Sequence, residues 1–220
     1  MRIRVLPLVL ALGSSIVLGQ SFTPVREQRN LSPAALAKLH TLEILNALPA
    51  GEWRFHAGDL PHGESPALDD SAWPLVAAPA TRAASVKAPK EAVWYRRTIE
   101  VPKTLNGYDI SGARIWFQFR ADANGPMPQI IYFNGRRVAL GDDLEPIVLF
   151  EPAHPGDKIL VAVKLLHTVD DKRFTGVNLR VEPLDTKRPN PDDIRIECLT
   201  AANLLPELPT PRKDLLATDA

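Results

Sequence analysis

The apolar positions of this chain follow different rules along its length. Between Pro33 and Leu48, Leu36, Leu39, Leu42, Leu45 and Leu48 step by three and are joined by Ala34, Ala35 and Ile44. That spacing lays a broad apolar face along a helix. Ser32-Pro33 supplies an N-cap followed by proline at the first helical position, where its missing N–H costs nothing, and Pro49-Ala50-Gly51 closes the pattern. From Trp53 to about Pro183 the rule becomes short β-rich runs separated by turn residues: 92–101 (AVWYRRTIEV), 113–121 (ARIWFQFRA), 129–133 (QIIYF), 136–140, 146–150, 158–167 (KILVAVKLLH) and 177–182 (VNLRVE). In the second run Ile115, Phe117 and Phe119 alternate with Arg114, Trp116, Gln118 and Arg120, as in a sheet with one buried face. Asn134-Gly135 between two apolar runs predicts a type I′ hairpin. Strands spaced by about ten residues predict a β-sandwich. Asn190-Pro191-Asp192-Asp193 then opens a second helix with a cap, a first-turn proline and two acids that suit its positive end, and Ile194, Cys198, Ala201 and Leu205 share one of its faces.

The first residues carry a targeting pattern. Arg2 and Arg4 precede an apolar run from Val5 to Leu18, broken only by Pro7, Gly13, Ser14 and Ser15, and Val17-Leu18-Gly19 suits signal peptidase. The run is shorter than the roughly 20 apolar residues of a spanning helix, and no later run is longer. The chain thus divides into a signal peptide over 1–20, an N-terminal helical segment over 21–51, a β-sandwich over 52–184, and a helix with a proline-rich linker over 185–220. The expected product is exported, periplasmic or extracellular, with no transmembrane segment after cleavage.

Composition narrows the partners. Lys plus Arg and Asp plus Glu are both 26 in 220 residues, so no positive excess exists to hold a nucleic acid backbone. The 21 prolines, about twice the usual share, argue against a mostly helical protein. The single cysteine, Cys198, excludes an internal disulfide and a cysteine-rich zinc site, and reads as a small buried hydrophobe.

Candidate chemistry is sparse. Histidines stand at 40, 56, 62, 154 and 167 without metal or acid-base spacing, and His56 and His62 with Asp59 and Glu64 read as a solvated loop. No GxSxG elbow, GxGxxG or GK[ST] loop occurs. The pairs Asp69-Asp70, Asp142-Asp143, Asp170-Asp171 and Asp192-Asp193 sit at expected turns or caps, where aspartate bonds locally. Asp69 to Trp73 reads as a turn that folds a tryptophan back under the sandwich. No catalytic residue, metal ligand or cofactor is therefore assigned, and a structural calcium is left open. Ligand contact is assigned to Tyr95 and Trp116, whose rings could stack on the apolar face of a sugar, and to Asp122 and Asn124 in the 120–128 loop (RADANGPMP).

A resemblance runs through these motifs. Trp53, then Leu68-Asp69-Asp70-Ser71-Ala72-Trp73, then Val93-Trp94-Tyr95-Arg96-Arg97 leading to Val101-Pro102, then Ile131-Tyr132-Phe133-Asn134-Gly135, then Pro155-Gly156-Asp157 before Ile159 to Val163 resembles the N-terminal sugar-binding, galactose-binding-like jelly roll of bacterial glycoside hydrolases. Family 2 β-glycosidases show the same order of motifs. The longer wording of residues 48–73 and 103–147 is more similar to secreted bacterial α-mannosidases related to glycoside hydrolase family 38. The resemblance spans about residues 31–205 and implies a mainly β jelly-roll sandwich with flanking helices. It also implies a non-catalytic carbohydrate-associated module that flanks or supports a catalytic domain, with glycan or that domain as partner. Catalytic zinc, where the parent enzyme uses it, would belong to the absent catalytic domain, and nothing here matches that part. The alternative is a stand-alone exported β-sandwich that binds protein or envelope components.

Overall fold

The computed structural model describes residues 31–77, 91–122, 127–166 and 173–204. The expected signal peptide, the pair Asp170-Asp171 and the proline-rich linker beyond residue 204 lie outside the described residues.

Helix α1, Pro33–Asn46, begins where the sequence predicts: the Ser32 side chain accepts a hydrogen bond from the Ala35 N–H at 3.2 Å, and proline occupies the first turn. Among the described residues eleven strands follow: β1 (Glu52–Ala57), β2 (Leu75–Ala77), β3 (Val93–Glu100), β4 (Thr104–Leu105), β5 (Tyr108–Asp109), β6 (Arg114–Asp122), β7 (Gln129–Phe133), β8 (Arg136–Gly141), β9 (Ile147–Phe150), β10 (Lys158–Leu165) and β11 (Arg173–Glu182). Helix α2, Pro191–Leu204, ends the described chain. The two main sheets are antiparallel, one of six strands in the order β2-β1-β3-β10-β7-β8 and one of three in the order β11-β6-β9. From β6 onward the chain passes repeatedly from one sheet to the other, and this β-sandwich flanked by two helices is the expected fold class.

The inner faces meet in one apolar core. Ile115, Phe117 and Phe119 are all buried, as their alternation requires. Trp53 is fully buried, with its ring centroid 6.1 Å from Phe117, 5.7 Å from Phe119 and 6.2 Å from Phe174. The hairpin between β7 and β8 turns through Asn134 and Gly135 at φ of 47° and 82°, both in the left-handed region a type I′ turn demands. Asn134 also accepts the Leu160 N–H on its Oδ1 at 2.9 Å, which ties the hairpin to β10.

The two helices pack on each other. Residue 47 bridges Arg180 of β11, and Leu48 N–H donates to Leu179 O at 2.9 Å, so the segment after α1 extends the three-stranded sheet. Helix α1 thus packs beside α2, β4 and β11.

Helix α2 departs from its expected orientation. The predicted apolar face included Ile194 and Cys198, yet Ile194 is 39% exposed and Cys198 is also exposed. The buried side carries Asp192 and Leu199, with Arg195 and Ile196 half-buried between them. Asp192 accepts from Arg195 Nε at 3.0 Å and Nη2 at 2.8 Å and stands 3.6 Å from Arg180 Nη1 of β11. The contact of Asp192 with Arg180, which the apolar pattern ignores, thus lies on the buried side of the helix, and Cys198 lies on the other.

Candidate functional site

Strand β3 shows where the outer face of the larger sheet is covered. Its first four residues, Val93 to Arg96, are all buried, whereas a sheet open on one side would alternate. Val93 and Tyr95 belong to the inner core. Trp94 and Arg96 point the other way, on the outer face, beneath the loop that runs from Gly58 to Pro74.

Arg96 anchors this loop. It is 2% exposed, and its Nε donates to Asp70 Oδ2 at 2.7 Å. Its Nη1 donates to the carbonyl of Gly63 and, at 3.0 Å, to that of Ser65, while Nη2 reaches Leu68 O at 3.4 Å. A planar guanidinium can hold several acceptors at once, and here it satisfies a buried charge while fixing four points of the loop. Trp73, in the turn opened by Asp69 and Asp70, is half-buried with its ring 4.8 Å from His56 and 5.8 Å from the Arg96 guanidinium. The expected turn is present, and its tryptophan covers the outside of the sheet. Gly63 rests on the Trp94 indole so closely that a Cβ there would lie 2.5 Å from ring carbon Cε2.

The other half of the loop bounds an open pocket of about 450 Å³. Its lining combines Asp59, His62 and Glu64 from the loop with Trp94 of β3, Tyr132 of β7 and Lys164 of β10. Strand register brings these together: Lys164 lies opposite Trp94, and Tyr132 opposite the buried Ala162 on the same outer face of β10. The Trp94 and Tyr132 rings stack at 5.9 Å, and Lys164 Nζ lies 5.3 Å from the Trp94 ring centroid. Lys164 also pairs with Asp59 Oδ1 at 2.6 Å, and that oxygen accepts the Leu60 N–H at 2.9 Å.

The electrostatics follow from these contacts. The hydrogen bond from Lys164 holds Asp59 below the usual carboxylate pKa, outweighing its desolvation. Burial raises the Tyr132 phenol, and the nearby Glu64 charge adds to the rise. Among the described residues the buried Trp94 indole N–H makes no hydrogen bond of normal geometry, and its weak interaction with Asp59 lowers that carboxyl slightly. His62, with φ of 57°, places Nδ1 3.8 Å from Glu64 Oε1. His56 is turned to the Gly58 carbonyl at 3.4 Å, so the two histidines do not converge. Among the described residues no group of three or more His, Cys, Asp or Glu is placed to hold a metal ion.

The residues assigned from sequence fall elsewhere. Tyr95 is 5% exposed, with its ring among Phe55, Phe119 and Phe174 at 5.2, 5.2 and 5.0 Å, and burial raises its phenol strongly. It is a core residue, and that corrects its assignment as a sugar platform. Trp116 is half-buried on the outer face of the other sheet, where its Nε1 donates to Glu182 Oε2 at 2.8 Å and the Arg114 guanidinium covers it at 5.4 Å. It is not part of the pocket. Asp122 ends β6, and its side chain, like Asn124, lies outside the described residues. The sequence considered Asp59, His62 and Glu64 only as a solvated loop. The missed signal was β3 itself, where Trp94 and Arg96 share one phase and Val93 and Tyr95 the other, so that both faces demand cover.

No known family model matches the chain, and no curated protein matches it. Among solved structures it is similar to a glycosyl hydrolase family 2 member from Bacteroides cellulosilyticus DSM 14838, at 19% identity and a TM-score of 0.45 over 62% of this chain and 20% of that one. It is similar to a β-glycosidase from Bacteroides vulgatus, at 17% identity and a TM-score of 0.44 over 63% of this chain and 20% of that one. It is also similar to a calcium-binding mutant of β-glucuronidase 2 from Bacteroides uniformis, at 19% identity and a TM-score of 0.44 over 61% of this chain and 17% of that one. The matched region spans a fifth or less of these proteins' lengths.

Proposed function

We propose that this chain is a non-catalytic, carbohydrate-binding module of an exported glycosidase, with its ligand site in the pocket above β3 and β10. The observation that carries this reading is the Trp94 indole N–H, buried and without a normal hydrogen bond among the described residues, in a pocket walled by Tyr132 and an Asp59–Lys164 ion pair. A sugar matches that lining, because its C–H face suits an aromatic wall and its hydroxyls both give and accept hydrogen bonds. A volume of about 450 Å³ is that of an ordinary small-ligand site. The motif order of the sequence supports association with a glycosidase. An α-mannosidase parent is the finer proposal from the wording of residues 48–73 and 103–147, whereas the solved structures named above are described as family 2, β-glycosidase and β-glucuronidase proteins. Export rests on Arg2, Arg4 and the apolar run after them.

The test is the indole N–H resonance of Trp94 in ¹⁵N-labelled protein, assigned by Trp94→Phe, while methyl α-mannoside, methyl β-galactoside or methyl β-glucoside is added to millimolar concentration. The reading expects that resonance to move with at least one of the sugars and to stop moving in Tyr132→Ala. No movement with any of them overturns it.

A further inference from the structure

The pocket's polar groups are sorted by position, and the sorting selects among sugars. Trp94, 2% exposed, has an indole N–H that makes no hydrogen bond of normal geometry among the described residues and interacts only weakly with Asp59, and Lys164, with 18% of its side chain exposed, presents an ammonium. An ammonium has three donors, of which Asp59 Oδ1 takes one. The loop presents carboxylates. Asp59 Oδ1 is already shared by Lys164 and the Leu60 N–H, and its side chain is 62% exposed. Glu64, 27% exposed, lies 3.8 Å from His62 Nδ1, beyond hydrogen-bond distance. Donors from the sheet therefore face acceptors from the loop across one space.

We propose that this pocket selects neutral pyranosides, held through adjacent hydroxyls that accept from Trp94 Nε1 and Lys164 and donate to Asp59 and Glu64, and discriminates against uronic acids. The proposal rests on the carbohydrate-binding reading above. A hydroxyl accepts and donates at once, so it satisfies both sides of the space. A carboxylate only accepts, so it leaves the loop side unanswered and brings a third anion beside Asp59 and Glu64. Among the described residues that line the pocket, one is a full cation, Lys164, which Asp59 already engages. His62 adds a charge only when protonated, and Arg137 lies opposite Tyr132 on β8 with its side chain exposed and outside the lining. The discrimination is therefore electrostatic, a uronate carboxylate meeting the charges of Asp59 and Glu64 across the same space.

The experiment titrates the full chain with methyl β-glucoside and methyl β-glucuronide at pH 7.5, following the Trp94 indole resonance, and repeats both titrations with Glu64→Gln. The expected result is binding of the glucoside and about tenfold or weaker binding of the glucuronide, with the gap narrowing by about fivefold in the variant, as removal of one nearby charge should give. Equal or tighter binding of the glucuronide overturns the selectivity while leaving the carbohydrate reading intact. An unchanged gap in Glu64→Gln overturns the role given to the loop carboxylate. No response to either sugar, or to the mannoside and galactoside, overturns both readings together.

Discussion

Arg96 and its neighbours show how much one side chain decides in this protein. A charged residue at 2% exposure must be paired, and Arg96 is answered by Asp70 and three loop carbonyls. Lysine keeps the charge and loses the fork, so Arg96→Lys should cost about 1 to 3 kcal/mol in urea unfolding and weaken the sugar response of the pocket that the same loop bounds. Unchanged stability together with unchanged sugar response would show that the loop is held some other way. Asp59 gives a prediction in pH. Its folded pKa is lowered from 3.8, chiefly by the Lys164 hydrogen bond, so its contribution is present above that value and is lost as pH falls through the lower folded pKa. Carboxyl ¹³C titration should find a midpoint below 3.8 that returns toward it in Lys164→Met. A midpoint that ignores the variant would remove Lys164 as the cause. At this scale the sequence was ambiguous in one identifiable place. Trp94 shares its phase with Arg96 and Tyr95 with Arg97, so an arginine burdens each phase and neither reads as the apolar one. Tyr95, assigned to ligand because its ring could stack on a sugar, proves to be core, while Trp94 is buried on the outer face and lines the pocket.

Elements were legible wherever local chemistry and tertiary demand agreed. The cap and proline of α1, the alternation of β6 and the Asn134-Gly135 hairpin each carry their own conformational reason, and each stands where the sequence predicts. Strand β11 was read short, as 177–182, because Gly176 interrupts the pattern; the structure places an irregularity between Phe174 and Gly176 and continues the strand to Arg173. Strands β1 and β2 were not delimited, since three residues of β2 hold too little pattern and His56 interrupts the apolar reading of β1. Helix α2 was legible at its start, where Asn190 Oδ1 accepts the Asp192 N–H at 3.1 Å, and illegible in its rotation. Its observed rotation makes a direct prediction. Leu199→Ala should destabilise the protein by about 2 to 5 kcal/mol, whereas Cys198→Ala on the exposed side should stay within about 0.5 kcal/mol. Thermal unfolding of the two variants decides it, and the opposite order would restore the apolar face through Cys198.

At the scale of the whole molecule, a sandwich is expected to carry its ligands on the loops at its two ends, because its faces are closed by packing or by solvent. Here the six-stranded sheet exceeds the three-stranded one, and a loop from one end folds back over its outer face and encloses space there. Its cover depends on contacts between residues far apart in sequence, such as Arg96 with Asp70 and Lys164 with Asp59, and no local pattern records them. The same arrangement bears on catalysis. Glycoside hydrolysis needs one carboxylic acid kept protonated near neutral pH by a raised pKa and a second carboxylate across the scissile bond. Asp59 moves the other way, held below the usual carboxylate range by the Lys164 hydrogen bond. The purified chain should therefore bind neutral methyl glycosides in the pocket and leave the corresponding nitrophenyl glycosides intact over many hours at pH 5 to 8. Release of nitrophenol that disappears in Glu64→Gln would make the pocket an active site, with Glu64 as its acid. Release that survives Glu64→Gln and Asp59→Asn would place any chemistry elsewhere in the chain and leave the pocket a binding site alone.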